Sequence, residues 1–596
     1  MTFYQSSAEF SPQSLSDWLA PDCHGLNFFD VDKSLQGLLD VYMPKDVRDH
    51  MVPHYQRLGQ ISGTDLDDWS RQSDKHQPIL HTRDARGRDE DWIEFHQSYR
   101  NMEQVAFGQF GLHAMTNRPG VLGWDAKVPP IAKYVFQYLF GQSEFGQLCP
   151  ISATETTAML IDRYADEETR ALLFDRMVTQ DMDDLLKGGQ FMTEKTGGSD
   201  VSNIALTARQ DENGTWKLYG EKWFCSCADA DVVLLLARPE GAPAGNAGLG
   251  LFALPRNLQD GSRNKYRIVR LKEKMGSRSM ASGEIIFDGA TVYPLGEVGA
   301  QANRGLKMMM DQVNMSRLSH GVRAAAMMRR CLNEALMVSG YRRAFGSKLI
   351  DKPLLRRQLL KLMVPTEQAL SMYMYTAVMM EKGDAGDTDA AKVTRILTPL
   401  LKYRTARDNV KVATGAMEVR GGNGYIEDWV NAKLVRDAHL GVLWEGTSNI
   451  NSLDVINRAV AKTGAHKALG EAVTEMLEGE ANMPGQFAGQ LKGLVDRAIS
   501  FADQVAKEGK ETVARKASSA LYHTVTASLM ATEGAKIGAA GGDASRLLLS
   551  RMIVDRRLGS EDPFSMENGE FDRLAGDALL FEGHVTLDQA KEILSK

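Results

Sequence analysis

The stretch Asn203–Cys227, NIALTARQDENGTWKLYGEKWFCSC, decides the fold class of this chain. Apolar and polar residues alternate on both sides of DENG, and such a turn sequence between two alternating runs predicts a β-hairpin. Similar short apolar runs separated by turn residues extend from Gly189 to about Val298, among them ADVVLLLAR and GEIIFDG. We therefore predict a compact antiparallel β unit of this region, consistent with a small barrel or sandwich.

The chain on either side of this unit is predicted to be helical. The segment that begins RGLKMMMDQVNMSRLSHGVRAAAMMRR at Arg304 carries apolar residues at helical spacing. Its many methionines are more typical of gap-fillers between helices than of ligands. Helices, a β unit and helices again give an α+β order rather than βαβ alternation. We predict an N-terminal extension and helical domain at 1–185, a β-barrel domain at 186–300, a helical bundle at 301–460 and an additional C-terminal helical domain at 461–596.

The composition excludes several classes of protein. The chain has 596 residues, 43% hydrophobic and 25% charged, which is typical of soluble globular proteins, and its net charge of −7 provides no basic footprint for nucleic acid. Its first residues, MTFYQSSAEFSPQS, lack the basic start and apolar core of a secretory leader, and its longest apolar run is too short to span a membrane. The five cysteines are too few and scattered for a disulfide framework, and no residue cluster has metal-site spacing. We expect a cytoplasmic protein without a metal.

Three segments combine glycines, hydroxyls and an acid, although no dinucleotide-binding G-x-G-x-x-G or P-loop occurs. They are MTEKTGGSDV at Met192–Val201, GEKWFCS at Gly220–Ser226, and VLWEGTSNI at Val442–Ile450, which is preceded by RGGNGY. Glycines let backbone amides approach a ligand, and hydroxyls offer hydrogen bonds. Taken singly, each segment also has an ordinary explanation as a polar turn, a strand or a helix C-cap. Cys225 and Cys227 would both face the buried side of a strand.

Glu445 places a carboxylate in a run that otherwise looks buried. A carboxylate held among Leu and Trp is poorly solvated, which raises its pKa. Two interpretations remain open on these residues alone. Glu445 is either a weakly hydrated general base or a helix-terminal acid paired with a basic neighbour such as Arg436.

Taken together and in this order, the segments resemble the acyl-CoA dehydrogenase superfamily over about residues 140–460. MTEKTGGSD is similar to the family's flavin and substrate loop TEPGAGSD, and GEKWFCS resembles the following strand. YRRAFG at Tyr341–Gly346 and GGNGY resemble the elements through which one subunit reaches the FAD of its neighbour. WEGTSNI matches the run that carries the catalytic glutamate. The resemblance implies three domains (helices, β-barrel and helical bundle), FAD as cofactor and an acyl-CoA substrate.

The resemblance also assigns site residues through the matching motif positions. Glu445 is the catalytic base, and Ser199, Arg317 and Gly446 fall at substrate-binding positions. The FAD-binding positions are Met192, Thr193, Gly198, Ser199, Phe224, Cys225, Ser226, Arg342, Phe345, Glu418, Gly421, Gly422, Trp444, Gly446, Thr447 and Asn449.

In this family, the glutamate takes the α-proton of an acyl-CoA thioester while the β-hydrogen leaves as hydride to flavin N5. The α-proton is weakly acidic, so the enolate must be stabilised and the base must be poorly hydrated. The family supplies donors to the thioester carbonyl from a ribityl hydroxyl and from the backbone amide of the base. Burial would raise the pKa of Glu445 towards the operating pH, and Arg317, at the substrate end of the cleft, would oppose that shift.

The chain departs from the common family pattern in ways that resemble the AidB-like branch. Lys195 and Thr196 replace Pro-Gly in the flavin loop, Phe224 replaces the usual Trp, and Glu418 occupies a position where Gln is frequent. The segments TEKTGGSDV, KWFCS, AMMRR and the long C-terminal block also resemble that branch. Acyl-chain length is left open by these motifs.

Three functions are weighed on this basis. The first is an acyl-CoA dehydrogenase that passes electrons to an electron-transferring flavoprotein, with an oxidase as its variant. The second is an AidB-like, DNA-associated protective role, against which the C-terminal block argues: residues 461–596 hold 16 Lys and Arg against 20 Asp and Glu. The third is a slow acyl-CoA-binding regulator. Nitroalkane oxidation is disfavoured because that relative uses aspartate as base. The retained neighbour-reaching motifs predict a homodimer or homotetramer.

Overall fold

A computed structural model describes residues 19–301, 303–559, 564 and 569–596. The N-terminal stretch MTFYQSSAEFSPQS, for which a leader is not expected, lies outside these residues. Among the described helices, none is both long and apolar enough to cross a membrane. The helices are α1 (Lys33–Tyr42), α2 (Lys45–Gly63), α3 (Asp65–Lys75), α4 (Gln97–Glu103), α5 (Pro130–Gly141), α6 (Leu148–Tyr164), α7 (Glu167–Met177), α8 (Gly305–Tyr341), α9 (Pro353–Asp384), α10 (Thr388–Arg420), α11 (Gly422–Tyr425), α12 (Val430–Leu440), α13 (Ser448–Asp454), α14 (Ala465–Glu478), α15 (Gly485–Lys507), α16 (Ala514–Ala539), α17 (Ser545–Ile553), α18 (Glu570–Phe581) and α19 (Leu587–Leu594).

The strands cluster between α7 and α8, with short hairpins before and after. They are β1 (Ile79–Arg83), β2 (Asp89–Glu94), β3 (Gly188–Phe191), β4 (Thr207–Gln210), β5 (Trp216–Ser226), β6 (Val232–Pro239), β7 (Gly250–Pro255), β8 (Tyr266–Leu271), β9 (Ser282–Leu295), β10 (Arg343–Ala344) and β11 (Ser347–Lys348).

The chain folds into two compact units, each assembled from separate segments. We call them the helical unit, which holds the described residues up to Thr64, Pro130–Ser143 and His320–Lys596, and the barrel unit, which holds Asp65–Pro129 and Glu144–Ser319. The finer division into four domains stays a prediction.

In the barrel unit, strands β3 to β9 form one sheet that closes on itself. The path β5–β4–β6–β7–β9 returns to β5, because β5 and β9 also pair along most of their length. The DENG hairpin is confirmed: Gln210 pairs with Trp216, and Gly214 supplies the positive φ of 77°. Most pairings are antiparallel as predicted, whereas β6 pairs parallel with β3 and β4. Strand β6 is buried on both faces, which explains its uninterrupted apolar run.

In the helical unit, α9 and α10 pack together, and α16 of the C-terminal block packs on both. Buried charged side chains also join the C-terminal block to the bundle. Arg546 on α17 donates to Glu533 at 2.8 Å and to Glu367 at 2.6 Å, and Arg329 on α8 donates to Glu367 at 2.5 Å and lies 3.1 Å from Asp32. Burial alone would raise the pKa of Glu367, but the two guanidinium groups hold it below its usual value. The C-terminal block is therefore joined to the bundle by a buried network of two guanidinium groups and three carboxyl groups.

Candidate active site

Glu445 lies in the turn that connects α12 to α13. Its φ of 51° is in the left-handed region, and Gly446 follows with a φ of 89°. A Cβ on Gly446 would come within 3.0 Å of Ile450 and 3.1 Å of Asn451, so this position accepts only glycine without rearrangement. Thr447 then occupies the N-cap position of α13. Two consecutive residues with positive φ therefore shape the turn that carries the carboxylate.

Two residues that the sequence analysis missed hold this turn through its carbonyl oxygens. The amide of Asn451 donates to the carbonyls of Gly446 at 2.7 Å, Thr447 at 3.0 Å and Glu445 at 3.3 Å. The buried ammonium of Lys402 on α10 also donates to the Gly446 carbonyl. An Asn six residues after the glutamate is a local signal that could have been read as a turn-forming residue. The Lys402 contact has no local sequence signal.

The run around Glu445 is less enclosed than its apolar sequence suggests. Leu443 is exposed, and Trp444, Glu445 and Thr447 are half-buried in the chain. The reason is that the run forms turns between two helices, and connecting turns lie at the surface. Arg436 donates to Glu427 at 2.7 Å.

An aromatic pair supports the same turn. The Trp444 ring meets the His320 ring edge to face, with centroids 5.2 Å apart. Burial lowers the pKa of His320 well below its usual value, and the nearby charges of Arg323 and Lys402 lower it further. His320 is therefore neutral at physiological pH.

In the barrel unit, the predicted flavin loop Met192–Val201 directly follows β3. Its base is fixed by a second pair that sequence reasoning missed: Lys222 of β5 donates to Glu194 at 2.7 Å and to the Met192 carbonyl at 3.2 Å, and both charged side chains are buried. Burial lowers the pKa of Lys222, whereas Glu194 opposes that shift. Beyond this anchor the loop opens to the surface, where Gly198 and Ser199 are exposed.

The end of β5 presents the predicted ring-binding residues in different ways. Phe224 is 55% exposed, and Ser226 is half-buried. The Cys225 thiol is enclosed, so only its backbone remains for a ligand. Cys227 is buried too, as predicted, but it lies after the strand in a left-handed conformation, 3.9 Å from the Cys149 sulfur.

A second cluster in the helical unit joins the predicted neighbour-reaching residues. Arg342, which precedes the β10–β11 hairpin, donates to the Arg420 carbonyl at 3.4 Å, beside Gly421. Phe345, in the hairpin turn, is 96% exposed. Glu418 and Gly422 flank the end of α10 and are exposed as well. The structure thus brings together side chains from two motifs that are separated by about 75 residues of sequence.

The other predicted residues lie as follows. Arg317 is buried on α8 in the barrel unit. Asn449 is exposed in the first turn of α13.

The residues present fit a flavin. An isoalloxazine ring is planar with a polar edge, and the barrel unit offers it the exposed Phe224 ring together with the Thr193 and Ser226 hydroxyls. A Cβ on Gly198 would crowd Thr193 at 3.2 Å, and a Cβ on Gly421 would crowd Arg342 at 3.2 Å, so both glycines leave room where a side chain would intrude. Arg342 adds a cation suited to a phosphate group.

Three family models match the chain in succession. The N-terminal domain of the adaptive response protein AidB matches residues 19–184, the acyl-CoA dehydrogenase middle domain matches 189–290, and the acyl-CoA dehydrogenase C-terminal domain matches 303–461. The resemblance predicted over 140–460 therefore extends to residue 19.

Two relatives and a solved structure are similar over most of their length. Acyl-CoA dehydrogenase family member 11 of Caenorhabditis elegans is 30% identical over 463 residues, which are 75% of this chain and 72% of that protein. AidB of Escherichia coli strain K12 is 33% identical over 440 residues, 71% of this chain and 76% of that protein. The crystal structure of Caenorhabditis elegans ACDH-11 in complex with C11-CoA superposes with a TM-score of 0.83 at 25% identity, covering 94% of this chain and 96% of that one.

The chain combines a closed barrel that carries a glycine-rich loop with helices that carry a glutamate in a constrained turn, and with these family matches it falls in the class of FAD-dependent acyl-thioester oxidoreductases. The chain belongs to the acyl-CoA dehydrogenase family and, within it, to the AidB-like branch. The predicted fold class and enzyme class are thereby confirmed.

Proposed function

We propose that this chain converts an acyl-CoA thioester into its 2-enoyl-CoA, with Glu445 as the base that takes the α-proton. The observation that carries this proposal is the turn itself, in which a half-buried carboxylate sits on a left-handed backbone fixed by Asn451 and Lys402. Such backbone strain costs about 1–3 kcal/mol and persists where the surroundings over-determine it, typically at active sites.

Within this proposal, a carboxylate oxygen of Glu445 receives the proton. The backbone N–H of the same residue donates to the thioester oxygen, where negative charge develops as the proton leaves. Arg317 and Ser199 orient the substrate, and the neutral His320 supports Trp444 without adding charge beside the base.

Bound FAD would supply the hydride acceptor for the β-hydrogen. We assign its ring to the loop residues Met192, Thr193, Gly198 and Ser199 and to Phe224, Ser226 and the Cys225 backbone. The anchor between Glu194 and Lys222 holds that loop against β5. The turn residues Trp444, Gly446, Thr447 and Asn449 complete the assigned set.

We assign Arg342, Phe345, Glu418, Gly421 and Gly422 to the FAD of a neighbouring protomer in a homodimer or homotetramer. Three large side chains at this end of the bundle support an association surface, since Phe345, Leu354 and Tyr425 are each more than 80% exposed. An electron-transferring flavoprotein is the proposed acceptor, in a cytoplasmic setting.

We further propose that the acyl chain is of medium to long length. The support is the similarity to the Caenorhabditis elegans enzyme, whose crystal structure was determined with C11-CoA.

The test is the visible spectrum of the purified protein, followed by anaerobic titration with saturated acyl-CoAs from butanoyl to hexadecanoyl. We expect bound flavin that bleaches most readily with medium or long chains, and a Glu445→Gln variant that keeps its flavin but reduces at least about 1000-fold more slowly. Reoxidation by an electron-transferring flavoprotein or by dioxygen then separates a dehydrogenase from an oxidase. Flavin that no thioester reduces would refute the proposal in favour of a regulatory or DNA-associated role.

A further inference from the structure

We infer that Asn451 and Lys402 are positioning residues for the proton transfer, acting on Glu445 through the carbonyl oxygens of its turn. The inference rests on the proposed function of Glu445. Neither side chain is assigned a contact with substrate or cofactor.

The Asn451 amide bridges three successive carbonyls, those of Glu445, Gly446 and Thr447, at 3.3, 2.7 and 3.0 Å. One amide thereby fixes the peptide planes on both sides of Gly446. Asn451 is fully buried, and its own Oδ1 finds no hydrogen-bond partner among the described residues. A buried amide oxygen without a partner costs stability, so the three donated bonds, not full satisfaction of the amide, are what this position provides.

Lys402 reaches the same turn from α10, 44 residues earlier in the chain. Its side chain is 1% exposed, and its ammonium donates to the carbonyl that also accepts the shortest Asn451 bond. A charged donor binds a carbonyl more strongly than a neutral one. The Gly446 carbonyl is therefore held from two directions, by α10 and by α13.

We call these contacts of Asn451 and Lys402 with the carbonyl oxygens of the turn the clamp. The clamp lies at a strained part of the backbone. Glu445 has a positive φ that an L-residue avoids, and nothing but the surroundings keeps it there. The Glu445 side chain leaves from the residue whose carbonyl the Asn451 amide holds, so rotation of the peptide plane between Glu445 and Gly446 would displace the base. A misplacement of about 1 Å can cost roughly 100-fold in rate.

The experiment measures flavin reduction in full-length, FAD-loaded Asn451→Leu and Lys402→Met variants. The substrate is the acyl-CoA that reduces the wild type fastest, together with its 2,2-dideuterated form. We expect the limiting rate constant to fall about 10- to 100-fold in each variant while half-saturation changes less than about threefold. The isotope effect should rise, because a displaced base makes α-proton transfer more rate-limiting. Flavin content and spectrum should stay as in the wild type.

Asn264→Leu is the matched control. Asn264 is another buried asparagine whose amide bridges two carbonyls, those of Pro255 at 2.8 Å and Thr291 at 2.9 Å, in the barrel unit. The Asn264→Leu variant should lose thermal stability and keep the wild-type rate of flavin reduction per bound flavin.

Each other outcome is decisive. Wild-type rates and isotope effects in folded variants overturn the inference while the proposed function stands. If neither variant folds, the two residues serve the fold, and the positioning role is overturned. A wild type that no acyl-CoA reduces refutes the proposed function itself.

Discussion

The two loops that carry the proposed chemistry are held in opposite ways. The Glu445 turn is bound along its length, since three of its carbonyls accept from Asn451 and one also from Lys402. The Met192–Val201 loop is anchored at its base by the buried pair of Glu194 and Lys222, and its glycine-containing tip is exposed.

The difference matches what each loop would have to do. A base must keep one carboxylate within hydrogen-bond reach of one carbon-bound proton, so its backbone tolerates little motion. A loop that lies along a large cofactor gains its contacts from many atoms, so a firm anchor with an open tip suffices. The anchor is also costly to break, because both of its charges are out of water.

The largest effect is expected from the anchor of the Met192–Val201 loop. Lys222→Met leaves the Glu194 carboxylate buried without its cation, and we expect the free energy of unfolding to fall by about 3–5 kcal/mol, together with loss of flavin. Denaturant unfolding and flavin absorbance measure both. The double variant Lys222→Met with Glu194→Gln should recover part of the loss, and a single variant as stable as the wild type would contradict the anchor.

Acid should weaken the barrel unit next most strongly. His113 is fully buried, its Nε2–H donates to the Thr179 carbonyl at 2.9 Å, and burial lowers its pKa to about 4. Between pH 6.5 and 4 the His113 imidazole is protonated in the unfolded chain and neutral in the folded chain. The free energy of unfolding therefore falls as pH falls, by about 3 kcal/mol in total. Thermal midpoints measured from pH 7 to 4 check this.

The matched variants for the acid test are His113→Gln and His81→Gln. The first should flatten the pH dependence, and the second, at a histidine whose side chain is 41% exposed, is the control for replacing a histidine by glutamine. If the thermal midpoint falls equally with pH in the wild type and in His113→Gln, another group causes the acid sensitivity.

Gly446→Ala tests the clamped turn by adding a single methyl group. An alanine at a φ of 89° costs about 1–2 kcal/mol, and its Cβ would press on Ile450 and Asn451. We expect flavin reduction to slow about tenfold, which corresponds to roughly 1.4 kcal/mol. Gly441→Ala, at a φ of −55°, is the control and should keep both stability and rate.

The smallest effect is expected at the exposed part of the Met192–Val201 loop. Lys195, which replaces the proline common in this family, pairs with Glu221 at 2.7 Å while both side chains are largely exposed. Lys195→Ala should change the unfolding free energy by less than about 1 kcal/mol and leave flavin content unchanged. Flavin loss in this variant would mean that the loop tip contributes more to binding than its exposure indicates.

The sequence alone determined the local features of this protein. The DENG hairpin follows from alternation and a glycine turn, and the burial of the Cys225 thiol follows from its place at the end of strand β5. The family motifs with Glu445, Gly446 and the Met192–Val201 loop are likewise visible in order along the chain. These features depend on residues that are close in sequence, so propensity and spacing suffice to predict them.

Only the tertiary structure decided which distant residues support the loops. Lys222 meets Glu194 across 28 residues and Lys402 meets Gly446 across 44, and β6 pairs in parallel with β3 and β4. The apolar run around Glu445 was also misleading, because its burial depends on the helices on either side rather than on its own composition. A buried lysine and an exposed one have the same letter in a sequence, and only packing assigns each its partner and its exposure to water.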